Sequence, residues 1–229
     1  MTIATPPFSS SRPGPLGREH IVLEGISWGT YRSLRTECDR LHLKMTFDRG
    51  TLEIMPPLPD HAVITRFIDQ VIGITCDLLR IPLVGYRDTT WQREALSRGL
   101  EADDCYYIRH AALADQRGTD IDLDRDPPPD LAVETDITRS SVDKESVYAK
   151  LGVPELWRWD HGRLHVRVLG AEGRYADVER SVALPMLPPN VVEQFVLQRL
   201  RDGEWRAKEA FRAWATEHLR GGEPGEQSP

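Results

Sequence analysis

Apolar and polar positions alternate along this chain with two different periods. From Ser27 the stretch WGTYRSLRTEC repeats Trp28, Tyr31, Leu34 and Cys38 on one side, which predicts an amphipathic helix capped by the serine. HLKMTFD and TLEIM then switch to period two around Asp48-Arg49-Gly50, the pattern of two strands joined by a tight turn. A long helix is predicted from Asp60 as its cap to about Arg80, with Ile64, Phe67, Ile68, Val71, Ile72, Thr75 and Leu78-Leu79 forming a broad apolar stripe. Extended segments follow at 82–86, 89–94, 100–108 and about 130–137. A helix begins at Ser140 or Ser141 and runs to Leu151, where Gly152 ends it and Pro154 forbids its continuation. ELWRWD, RLHVRVL and RYADV predict three more strands around turns at Gly162 and Gly173, and two helices span about 189–200 and 203–219.

Such interleaving of helices and strands predicts an α/β (α+β) fold, a mixed sheet flanked by helices, rather than a sandwich or a bundle. The chain of 229 residues suffices for one substantial core. The expected division is a disordered segment over 1–19, a domain over 20–200, a C-terminal helix over 201–220 and a disordered tail over 221–229. No internal repeat is visible.

Composition narrows the classes. Apolar runs such as Ala62-Val63-Ile64 are broken by charge long before the roughly 20 residues a membrane helix needs. The first residues, MTIATPPFSSSRPGPLGRE, lack the basic start and apolar core of a secretory signal. Cys38, Cys76 and Cys105 stand far apart with no CxxC, which fits reduced thiols in a cytoplasmic protein rather than a disulfide framework or a thiolate zinc site. The net charge of −7 argues against a protein that simply coats DNA and requires any nucleic-acid contact to be local.

The candidate chemistry lies in DPPPDLAVETD, residues 126–136. As a strand, its period of two puts Asp130, Ala132, Glu134 and Asp136 on one face. Hard cations such as Mg²⁺ bind through one or two carboxylates and keep several waters, so this face is a suitable half-site for one. Glu101-Ala102-Asp103-Asp104, at the mouth of another strand, supplies the other half, and Lys144, four positions before Tyr148 on one helix face, is placed to reach the strand. Two acids and an amine around Mg²⁺ are the equipment for hydrolysing a phosphodiester. Acids on the open face of a half-solvated strand are also commonly just solvated.

The series Ser27-Trp28, DRGTLEIM, His61, GLEADDCYYI, PPPDLAVETDIT and KESVYAKLGVPELWRWD resembles the Uma-two family of restriction-endonuclease-like proteins, within the PD-(D/E)XK nuclease superfamily, over roughly residues 20–190. The resemblance implies a restriction-endonuclease-like core and a DNA-cleaving site dependent on Mg²⁺ or Mn²⁺. It implies Asp103 and Glu134 as metal ligands and Lys144 as the catalytic lysine, with Asp130, Asp136 and His61 in supporting places. Two features depart from the family pattern. Asp136 stands where the superfamily carries its lysine, and Ala102 replaces a proline.

Other signals are weaker. His161 and His165 flank a turn, Cys105 has no histidine beside it, Trp157 and Trp159 read as core anchors, and the arginines from Arg199 to Arg212 are interleaved with acids. The leading expectation is a Mg²⁺-dependent endonuclease acting on DNA, in the cytoplasm, with a homodimer as the form suited to double-strand cutting. The alternatives are a non-catalytic binding or assembly module that retains the nuclease fold, and a hydrolase of RNA or nucleotides.

Overall fold

The computed structural model describes residues 20–41, 43–56, 59–136, 140 and 142–219, with the backbone alone at 59, 60 and 136. The expected disordered ends therefore lie outside the described residues, as does the side chain of Asp60.

The chain begins with a short strand, β1 (Ile21–Leu23), and helix α1 (Trp28–Glu37). Ser27 caps α1 as expected, its hydroxyl accepting from the Thr30 N–H at 3.1 Å. Strands β2 (Lys44–Asp48) and β3 (Thr51–Met55) form the hairpin. Its two turn residues, Arg49 and Gly50, have φ of 46° and 101°, the positive values a tight hairpin turn requires. Helix α2 (Pro59–Leu79) follows, already helical at Asp60.

The extended middle of the chain comprises β4 (Val84–Gly85), β5 (Thr90–Arg93), β6 (Arg98–Glu101) and β7 (Asp104–Tyr107). The single strand expected over 100–108 is thus two, separated at Ala102-Asp103. Helix α3 (Ala111–Arg117), unanticipated, precedes β8 (Leu131–Asp136). Helix α4 (Lys144–Leu151) is capped by Asp143, which accepts from the Ser146 N–H at 3.1 Å, rather than by Ser140 or Ser141. It ends at Gly152, whose φ of 85° only glycine adopts cheaply. Strands β9 (Glu155–Asp160), β10 (Arg163–Leu169) and β11 (Tyr175–Asp177) and helices α5 (Pro189–Asp202) and α6 (Glu204–Leu219) complete the described chain.

The break at residue 102 matters because β6 and β7 belong to different sheets. One sheet is antiparallel, ordered β1-β3-β2-β6-β5; the other is mixed, ordered β11-β10-β9-β8-β7-β4, with β8 and β9 its parallel pair. One face of the mixed sheet, including Leu131, Val133, Trp157 and Val166, packs on α2, α5 and α6. On its other face Cys105, Ala132 and Leu156 meet Val147, Tyr148 and Leu151 of α4. Met45, Phe47 and Leu52 turn the antiparallel sheet toward Tyr31 of α1. The alternation of side chains then directs Lys44, Thr46 and Glu53 to the face away from α1. Asp103 lies in the link where the chain passes between the two sheets.

Candidate active site

The register of β7 on β8 places Asp104 opposite Val133, so Asp103 falls opposite Glu134 one step beyond the ladder. The Thr135 N–H donates to Asp103 Oδ2 at 2.7 Å, which fixes that carboxylate beside the Glu134 backbone. Lys144, the first residue of α4, donates from Nζ to Glu134 Oε2 at 2.8 Å. Tyr148, one helical turn later, donates its hydroxyl to Glu134 Oε1. Both oxygens of Glu134 are therefore held from one helix face. Asp103, Glu134 and Lys144 come together at the junction of the sheets, as the sequence led us to expect.

The acids are buried and the amine is at the rim: 4% of the Asp103 side chain and 6% of Glu134 is exposed, against 18% of Lys144. Burial pushes the Glu134 carboxyl up; Lys144 and Lys44 pull it down and the Asp103 charge raises it, with a raised value as the net effect. Burial also works to raise Asp103. Lys44, Lys144 and the Thr135 N–H outweigh it, and Asp103 lies below the ordinary carboxylate range. Burial and the neighbouring Glu134 charge keep the Tyr148 hydroxyl protonated, so it serves as a donor.

Two charged residues of the β2–β3 hairpin were not singled out by the sequence, and the first of them is a partner of this site. Lys44, on β2, contacts Asp103 Oδ1 with its ammonium group. Its only local signal was a polar position in an alternating strand. Glu53, fully buried on the same side of the hairpin, accepts from Ser140 Oγ and so ties the segment before α4 to the antiparallel sheet. Glu53 lies within DRGTLEIM, where its polar position in an alternating strand gives no local sign of burial.

Residues 28–206 match the model of the Uma2 family, described as "Putative restriction endonuclease". The chain belongs to the Uma2 family. No curated protein matches it. The mixed α/β architecture accords with the restriction-endonuclease-like core that the resemblance implied for a Uma2 protein.

The remaining expected residues of this Uma2 chain are Asp130, His61 and Asp136. Asp130 immediately precedes β8, which begins at Leu131. Its Oδ2 accepts from the N–H groups of Ile108, Arg109 and His110 at 2.8, 2.9 and 3.2 Å, and its Oδ1 lies 3.0 Å from His110 Nδ1. Asp130 thus ties the entry of β8 to the segment leading into α3. The prolines before it are structural too: Pro127 O accepts from Tyr107 OH at 2.9 Å. His61 lies in the first turns of α2, where its carbonyl accepts from Thr65 Oγ1 at 3.0 Å. Thr65 Oγ1 in turn meets Thr135 Oγ1 at 2.8 Å, so α2 supports β8 from the side opposite Glu134. The backbone of Asp136 pairs in register with Asp160, and its side chain lies outside the described residues.

Among the weaker signals, Trp157 and Trp159 are core residues. Cys105 accepts from Trp91 Nε1 at 3.0 Å and donates to the Tyr86 carbonyl at 3.1 Å, and burial pushes its thiol far up. It is a packed thiol rather than a nucleophile. His161 is exposed and pairs with Asp160. Arg201 and Arg212 pair with Asp202 and Glu209 at 2.9 and 3.1 Å, as surface charges.

No cluster of three or more His, Cys, Asp or Glu side chains suited to a metal ion occurs among the described residues. The donors that do converge are two carboxylates with two ammonium groups beside them. That oxygen-only set, partly open at the lysines, has the chemistry of a hard divalent cation that keeps several waters.

Proposed function

We propose that this protein is an endonuclease that hydrolyses DNA phosphodiester bonds with Mg²⁺ or Mn²⁺. Asp103 and Glu134 would hold the cation. The observation that carries the reading is the convergence of Asp103, Glu134 and Lys144 from β7's entry, β8 and α4 in a chain of the Uma2 family. When bound, the cation neutralises phosphate oxygens and acidifies a water molecule.

The chain's own groups have distinct tasks. Thr135 N–H and Tyr148 OH fix the two carboxylates before substrate arrives, so little reorganisation is needed in the reaction. Lys144 carries its charge at the rim, where it orients the attacking oxygen and offsets negative charge developing on the phosphoryl group. With a net charge of −7, contact with DNA would have to be local, since the overall field does not attract it.

Plasmid nicking tests the proposal. The wild type should convert supercoiled DNA to open circles in Mg²⁺ or Mn²⁺ and not in excess chelator. Glu134→Gln and Lys144→Ala should each lose roughly a hundredfold or more of that rate. Equal cleavage by all three proteins would refute these assignments. An inert wild type that still binds DNA or a protein partner would favour a non-catalytic module on the same fold.

A further inference from the structure

Lys44 is the group at this site that the proposed reaction leaves without a task. It reaches Asp103 from the antiparallel sheet, across 59 positions of sequence. Asp103 has little freedom to turn away, because its Oδ2 is held by the Thr135 N–H at 2.7 Å. Oδ1, which that N–H does not hold, is the oxygen more open to a cation, and Lys44 Nζ is already on it. A second carboxylate stands within reach: Asp88 Oδ1 lies 3.5 Å from the same Nζ. Asp88 is 60% exposed and Asp103 is 4% exposed, so the two acids give the ammonium group an inner and an outer station. The long lysine side chain can exchange between them by rotamer changes alone, with no movement of β2.

We propose that Lys44 is a positioning residue that guards the Asp103 carboxylate, competing with the divalent cation and moving toward Asp88 when the cation binds. This rests on the metal-site reading above. In the inner station the ammonium group compensates a buried carboxylate that would otherwise be costly to keep ionised. Its departure to Asp88 frees Oδ1 while keeping a positive charge at the rim, where a phosphate backbone would pass.

Mn²⁺ titration of the full chain, followed by electron paramagnetic resonance of the free ion, tests this without substrate or turnover. Lys44→Met should bind Mn²⁺ about tenfold more tightly than wild type, because a competing charge is removed. Lys44→Arg should stay within about threefold of wild type, because the charge is kept. Asp88→Asn should weaken binding in the wild-type background and have no effect in Lys44→Met, since Asp88 acts through the lysine. Should Lys44→Met melt below the assay temperature, Lys44→Gln carries the same comparison.

Unchanged or weaker binding by Lys44→Met, with wild-type binding that still depends on Asp103, would overturn the guard and spare the metal site. Equal weakening by Asp88→Asn in both backgrounds would overturn the outer station. Binding that is absent, or indifferent to Asp103→Asn, would overturn the two-carboxylate reading and the guard with it.

Discussion

Adjacent aspartates lead opposite lives in this chain. Asp103 is held low by lysines and a backbone N–H, whereas burial pushes Asp104 from 3.8 up to about 6, with Tyr106, Asp69 and Arg87 making smaller contributions. Asp104 Oδ1 accepts from the Cys105 N–H at 3.0 Å, and Oδ2 is buried 3.6 Å from Arg87 Nε. An acid whose folded value is raised holds its proton more tightly folded than unfolded. Its contribution to stability is therefore fully present below about 4 and is lost as pH rises through about 6. Asp104→Asn cannot ionise. Its stability relative to wild type should climb over that window, by on the order of 1–3 kcal/mol, and then level off in urea unfolding at a series of pH values. A flat difference from pH 4 to 8 would show that Asp104 ionises normally. Little of this was legible beforehand. Asp103-Asp104 reads as one acidic pair, and only the break between β6 and β7, which leaves Asp103 in the link and Asp104 at the start of β7, separates the acid that meets the lysines from the one that faces Asp69 of α2.

Elements whose making is local were the most legible. The β2–β3 hairpin needs only alternation and a turn that tolerates positive φ, and α1 needs only its serine cap and apolar spacing. Helix α4 was found with its start misplaced, because Ser140, Ser141 and Asp143 all have capping side chains and their number alone does not choose between them. The seven-residue α3 buries only Ala111 and Ala114, too little to print a helical period. The split of β6 from β7 was invisible because residues 98–107 remain strand-like on both sides of it, and long-range pairing decides the sheet. Asp130 belongs to this scale, since it ties β8 to the entry of α3 through three backbone donors and His110. Asp130→Ala should cost about 3 kcal/mol, on the order of several lost hydrogen bonds to a charged acceptor, while leaving Mn²⁺ affinity near the wild-type value. A stable Asp130→Ala protein that no longer binds Mn²⁺ would instead place Asp130 among the ligands.

At the scale of the molecule, the candidate site exists because two sheets meet. Asp103 comes from the link between them, Glu134 from the mixed sheet, Lys144 from the helix over its face, and Lys44 from the antiparallel sheet. Asp103, Glu134 and Lys144 lie within 41 positions of one another and carry recognisable local motifs, which is why the sequence pointed to them. Lys44 joins from 59 positions before Asp103, and Glu53 reaches Ser140 across 87 positions, distances over which no periodicity speaks. The family match and the mixed α/β core agree with a nuclease. No helix among the described residues is long and apolar enough to cross a membrane. The central claim is that Asp103 and Glu134 together hold one divalent cation, and anomalous diffraction from crystals soaked in Mn²⁺ addresses it most directly. A single strong peak within about 2.0–2.4 Å of a carboxylate oxygen of each residue is the predicted result, by the bond lengths of small hard cations. A Mn²⁺ peak elsewhere, in crystals of protein that cleaves DNA, would contradict it.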